Sequence, residues 1–175
     1  MTTGAAVAPI LPIELRYPTG IELQFARARK MRLLVWLPFF ALGCVSVKMA
    51  LAQNKLIMIP FSALFWLVPL LMELLMRNIE NVTLRLKDTK IVIDAIELKY
   101  LGPNGDVLFA VSLDHAKSLW PRSSYQAAGH SICRVYSSML SSTLLFEFTS
   151  YLDRGSWLAE EVLGMGKWPS SPGGG

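Results

Sequence analysis

Two apolar runs, 33–52 and 56–72 with a tail to 76, follow one another with only Gln53, Asn54 and Lys55 between them. A hydrocarbon core of about 30 Å takes roughly 20 helical residues to cross, and inside it each backbone amide must bond within its own segment. The pattern therefore predicts a transmembrane helical hairpin over 33–76. Pro38 and Lys48 in the first run and Pro60, Pro69, Trp66 and Glu73 in the second fit this reading. A membrane helix tolerates proline, Lys48 can snorkel to headgroups, and Glu73 has Arg77 one turn later as a partner.

Upstream, Pro9, Pro12 and Pro18 forbid a continuous helix, so 1–20 reads as an extended arm. Helical spacing resumes over 21–32, which ends in the basic cluster Arg27, Arg29, Lys30 and Arg32. Downstream of 78 the period changes to two. Val82, Leu84 and Leu86 alternate with Thr83, Arg85 and Lys87, and Asp88-Thr89-Lys90 turns the chain into 91–93, which predicts a strand pair. Ile96, Leu98 and Tyr100 alternate with Glu97 and Lys99, and the turn Gly102-Pro103-Asn104-Gly105 leads to a returning strand over 107–113. The polar stretch 121–130 reads as a loop, and 132–136 with 144–148 as a hairpin around a serine-rich turn. A helix capped by Asp153 or Ser156 is expected to run to Gly164.

The predicted organisation is an N-terminal arm and juxtamembrane basic segment (1–32), the hairpin (33–76), a β domain of six or seven strands closed by a C-terminal helix (77–165), and a flexible Pro, Ser and Gly tail (166–175). The fold class is thus membrane α plus soluble β, the β part a small antiparallel barrel or bent sheet.

Composition agrees. In 175 residues, 53% hydrophobic content exceeds that of a soluble domain, while 17% charged residues must sit outside the hairpin. The net charge of +4 gathers where the chain meets the membrane and not in a tract that follows a nucleic-acid backbone, so nucleic acid is not an expected partner. Five basic residues precede the hairpin (Arg16, Arg27, Arg29, Lys30, Arg32) and four follow it (Arg77, Arg85, Lys87, Lys90), against Lys55 alone in the turn. Both termini are therefore expected in the cytoplasm, matrix or stroma. That orientation sets aside the sequon Asn81-Val82-Thr83. The cluster Arg27, Arg29, Lys30 and Arg32 reads as a topology signal or as a site for anionic headgroups such as cardiolipin.

No constellation of reactive groups stands out. Asp114-His115 is the one acid next to a histidine, His130 lies among serines, and Glu160 and Glu161 point about 100° apart on a helix. Serine elbow, phosphate-binding glycine loop and metal-ligand spacing are all missing, and Cys44 and Cys133 are placed too differently for a disulfide. The expectation is a non-enzyme without cofactor, metal or catalytic residues. Trp157 reads as core, and Trp120, in Leu119-Trp120-Pro121, as a partner-facing anchor. Gly43 and Ser46 are small residues suited to close packing against partner helices.

The order of parts resembles a family. A two-span hairpin is followed by Leu98-Lys99-Tyr100-Leu101-Gly102, by the run from Phe109-Ala110-Val111-Ser112 to Ser118-Leu119, and by Arg134-Val135-Tyr136-Ser137-Ser138 before a Leu-Phe-Glu-Phe strand. This layout, over about 27–163, resembles the two-span mitochondrial inner-membrane proteins that assist assembly of respiratory complexes and ATP synthase. More loosely it is similar to bacterial pleckstrin-homology-like membrane proteins and the thylakoid assembly factor of photosystem I.

The resemblance implies a pleckstrin-homology-like seven-stranded barrel capped by a C-terminal helix. It also implies a non-enzymatic accessory subunit or assembly factor of a membrane-embedded energy-transducing complex, partnered by other subunits of that complex. The mitochondrial inner membrane, with both termini in the matrix, is the compartment implied; the thylakoid and the bacterial inner membrane are the alternatives. The alternative function is a membrane-anchored, anionic-lipid-binding module that uses Lys87, Lys90, Lys99, Lys117 and Arg122 around the barrel mouth.

Overall fold

The structure, a computed structural model, describes residues 12–55, 57, 59–127, 129–166 and 168. In chain order its elements are β1 (Ile13–Arg16), α1 (Ile21–Ala52), α2 (Ile59–Leu86), β2 (Lys90–Ile93), β3 (Glu97–Leu101), β4 (Val107–Ser112), α3 (Leu113–Ala116), β5 (Trp120–Ala127), β6 (His130–Tyr136), β7 (Leu144–Thr149) and α4 (Gly155–Trp157). A π-helical turn, Leu158–Val162, extends α4. Helices α1 and α2 pack together, and both are long and apolar enough to cross a membrane. Their outer faces leave large apolar side chains uncovered, among them Leu37 at 65% and Phe61 at 65% exposure.

The β domain is two open antiparallel sheets, one ordered β1-β2-β3-β4 and the other β5-β6-β7. No strand pairing joins them among the described residues, so the expected closed barrel is instead a pair of sheets in contact through side chains. Phe146 of β7 makes that contact, its ring stacked at 5.6 Å on Tyr100 of β3 and tilted at 5.6 Å against Phe109 of β4. Fully buried Leu15, Leu98, Ile132 and Leu158 bring strands from both sheets and the C-terminal turn into one core.

Three segments differ from the sequence-based expectation. Residues 13–16, expected in the arm, form β1 and pair antiparallel with β2 from Ile13↔Ile93 to Arg16↔Lys90. The helical hairpin is therefore inserted between the first and second strands of the domain.

Residues 82–86 are the last turns of α2 and not a strand. Their short alternation fits both periods, and tertiary burial decides: Met76, Ile79, Glu80, Thr83 and Leu86 form one buried helical stripe. Within it the Thr83 hydroxyl bonds the Ile79 carbonyl at 2.8 Å and the Thr149 hydroxyl of β7 at 2.9 Å.

Most of the expected loop 121–130 is strand β5, paired with β6 from Trp120↔Tyr136 to Ala127↔His130. As an edge strand it accommodates Pro121, which has no amide proton to offer the ladder.

The expected β3–β4 turn is present, with Gly105 at φ +83 and the Gly102 amide bonded to the Asp106 carbonyl at 2.9 Å. The closing helix begins without a side-chain cap, its N-cap position held by Arg154 in the left-handed region rather than by Asp153 or Ser156.

The Thr83–Thr149 bond ties α2 to the second sheet, and both residues are fully buried. Thr83→Val removes one partner of the Thr149 hydroxyl, Tyr17 being the other, and should lower stability by about 1 kcal/mol, whereas Thr83→Val/Thr149→Val should cost less than the sum of the two single changes. Thermal unfolding of Thr83→Val, Thr149→Val and the double variant in detergent checks this; a loss in the double variant equal to the sum of the two single losses would refute it.

Candidate functional site

The domain end of the hairpin concentrates the charged groups. Glu80 is fully buried on α2 and accepts from two arginines of α1, Arg29 Nε at 2.6 Å and Arg32 Nη2 at 2.5 Å. Arg32 Nε also reaches Glu73 at 3.1 Å, and Glu73 is bonded in turn by Arg77 at 3.0 Å. A buried carboxylate is tolerable only when its oxygens are paired and hydrogen-bonded, and here each Glu80 oxygen has its own guanidinium. The expected Glu73–Arg77 pair is present, as one member of this wider network.

The same network touches the second sheet. The His130 ring stacks parallel on Tyr151 at 4.3 Å, its Nδ1 lies 3.3 Å from the Ser150 hydroxyl, and Phe25 of α1 meets Tyr151 edge-on at 4.9 Å. Burial holds the His130 imidazolium below its ordinary range, and the Arg32 charge adds to the effect. Burial, aided by the Glu80 carboxylate, raises the Tyr151 phenol to about 12, so this hydroxyl stays protonated.

Two residues beyond Thr83, Arg85 pairs with Glu147 of β7, which Arg134 of β6 also contacts at 3.3 Å. At the start of the hairpin Glu22 pairs with Lys87. These contacts lock α2 along the sheet, so the domain continues from the hairpin as one body with no linker between them.

Of the basic cluster, Arg29 and Arg32 face α2, while Arg27 and Lys30 are exposed. Gly43 lies under Trp66 of α2, so close that a Cβ there would stand 2.2 Å from the indole nitrogen. That nitrogen donates to the Phe40 carbonyl at 3.2 Å. Gly43 thus serves the contact between the two helices of this chain, and Ser46 is half-buried nearby on α1. Trp120 begins β5 with 41% exposure, at the rim of an open hollow of about 410 Å³ that Lys117, Leu163 and Met165 also line. Trp157 is partly buried against the core.

Comparison with protein-family models, curated proteins and solved structures finds no match to this chain.

His115 meets the Ser112 hydroxyl at 2.9 Å on the open surface of α3. Among the described residues no group of three or more His, Cys, Asp or Glu side chains stands where it could share a metal ion. Cys44 and Cys133 are both free, and burial raises the Cys133 thiol. Of the basic residues proposed around a barrel mouth, Lys87 is held by Glu22, and Lys99 by Asp94 at 3.0 Å and Glu97 at 3.1 Å. Thr83 of the sequon is fully buried inside α2.

Sequence reasoning missed Glu80 and Glu147. The strand reading hid Glu80, although its spacing of seven from Glu73 places both carboxylates on one helical face opposite Arg29 and Arg32.

Glu80→Gln removes the charge that neutralises Arg29 and Arg32 and should cost about 3 kcal/mol, read as a lower unfolding temperature in detergent. His130 gives a second measurement. Its imidazolium is disfavoured in the folded state, so the folded protein binds fewer protons than the unfolded chain below about pH 6.5. Stability should therefore be complete above that value and fall as the pH drops through it toward the lowered folded value. His130→Asn should flatten this profile; an unchanged slope in the variant would remove His130 as its source.

Proposed function

We propose that this chain is a non-enzymatic accessory or assembly subunit of a membrane-embedded energy-transducing complex, whose α1 and α2 cross the bilayer and whose β domain stands on one face of it. The carrying observation is an exposed apolar row at the far end of a domain fixed rigidly to its hairpin. Glu80 lies level with the start of β6, and Arg85 lies level with Glu147 and Arg134, so β6 climbs away from the hairpin. Six residues on, about 20 Å at strand rise, the register aligns Trp120, Tyr136 and Leu144 across the sheet. Trp120 is 41% and Leu144 43% exposed, and the following turn presents Met139 at 66% and Leu140 at 95%.

A row about 20 Å along the sheet from the hairpin supports a protein partner rather than the bilayer as its contact. Tryptophan with adjoining aliphatic side chains is the composition of an interface centre. The layout resemblance supports the class of complex, with both termini on the matrix, cytoplasmic or stromal side. The arrangement of four plus three strands with a closing helix supports a pleckstrin-homology-like reading of the domain.

Native gels of the protein's own membranes test the reading. The wild-type chain should co-migrate with other membrane subunits, and Leu140→Asp with Trp120→Asp should release it from them while leaving it in the membrane fraction. Migration of the wild type as a free monomer would sink the proposal.

A further inference from the structure

The four basic residues ahead of the first apolar run separate into two pairs with different work. Arg29 and Arg32 are spent on Glu80 and Glu73. Arg27 and Lys30 lie on the opposite side of α1 and, among the described residues, have no ion pair with a carboxylate. Helical spacing at 100° per residue sets Arg27, Lys30, Met31 and Leu34 in one stripe, directly away from Phe25, Arg29, Arg32 and Trp36. All four members of the stripe are exposed, Met31 at 63% and Leu34 at 64%.

The stripe has a polarity along the helix axis. Leu33 opens the apolar run, and at 1.5 Å per residue Lys30 lies about 5 Å and Arg27 about 9 Å outside it. The headgroup layer is roughly 5–8 Å thick on each side of the hydrocarbon, so Lys30 lies within it and Arg27 at its outer edge. Leu34 then faces the acyl chains below, and Met31 sits at the boundary between the two layers. Two cations three residues apart on one helix face have Cβ atoms about 5–6 Å apart, close enough to hold two oxygens of one phosphate. Counted over the hairpin base, Arg27, Arg29, Lys30, Arg32 and Arg77 exceed Glu73 and Glu80 by three charges. At the domain end of α1 the unmatched positive charge is on this outer stripe.

We propose that Arg27 and Lys30 form a binding site for the phosphate of an anionic phospholipid in the leaflet on the β-domain side. The site rests on the reading of α1 as a bilayer-crossing helix, and it is distinct from the lysines of the β domain, where Lys87 and Lys99 already hold carboxylates. Because neither Arg27 nor Lys30 supports the fold through an ion pair, both can be neutralised without disturbing the Glu80 network.

The test places the full-length chain in nanodiscs of phosphatidylcholine and phosphatidylglycerol in equal parts. It then measures, by native mass spectrometry after transfer to neutral detergent, which lipid stays bound. The wild type should retain phosphatidylglycerol in preference by on the order of tenfold. Arg27→Gln/Lys30→Gln should lose the preference, while Lys117→Gln/Arg122→Gln, which removes the same charge from the β domain, should keep it. Equal loss in both double variants would reduce the effect to net charge and overturn the site, as would a wild type with no preference. Displacement of the lipid by inorganic phosphate beyond the effect of chloride at equal ionic strength would make it a free-anion site and overturn the lipid assignment. Flotation with pure phosphatidylcholine vesicles separates the two levels: a chain that floats but shows no preference refutes only the site, and one that does not float refutes the bilayer reading beneath it.

Discussion

A carboxylate with no access to water must be neutralised by its neighbours, and Glu80 has Arg29 on one oxygen and Arg32 on the other. Alone it would be among the costliest groups in the fold; paired, it fixes the register of α1 against α2 at the end where they join the domain. Everything above depends on that register. Phe25 meets Tyr151, Tyr151 stacks on His130, and Thr83 reaches Thr149 because α2 enters the second sheet at one height and one rotation. Midway along the first apolar run the helices use size in place of charge, Gly43 making room for the Trp66 ring.

This junction explains how a chain of 175 residues uses so small a domain. A flexible linker between anchor and domain would let the β sheets sample many orientations, and each contact made far from the anchor would then carry an entropic cost. Here α2 runs without a break into the domain, and Arg85, Glu147 and Arg134 continue the fastening one turn higher. The distal row of Trp120 and Leu144 is held at a set height and angle, as the proposed contact with a partner in the same bilayer requires. Insertion of the hairpin between β1 and β2 strengthens the arrangement, since both ends of the helical pair are bound to the first sheet.

Charge on this protein is divided by task. The arginines that face α2 serve the fold, the exposed Arg27 and Lys30 lie on the outer side of α1, and the lysines of the β domain are partly taken up by their own carboxylates, as with Asp94, Glu97 and Lys99. A cluster that reads as one block in sequence therefore divides in space into two faces, separated by half a turn of helix.

Sequence alone determined the features that repeat over many residues. The two apolar runs, the charge at their ends, the Gly102–Gly105 turn and most strands of the β domain were legible because length, composition and turn chemistry are local properties. Tertiary structure decided the short and ambiguous stretches. Residues 82–86 alternate well enough for a strand but bury Thr83 and Leu86 only as helix, and 121–127 looked like a polar loop until β6 supplied hydrogen-bond partners for it. β1 was unreadable for the same reason, being four residues whose partner lies beyond the whole hairpin. The candidate site was half legible: the basic cluster was visible, but which arginines turn inward depends on Glu80, and its place on a helix rather than before a strand was settled by burial, which no local pattern records.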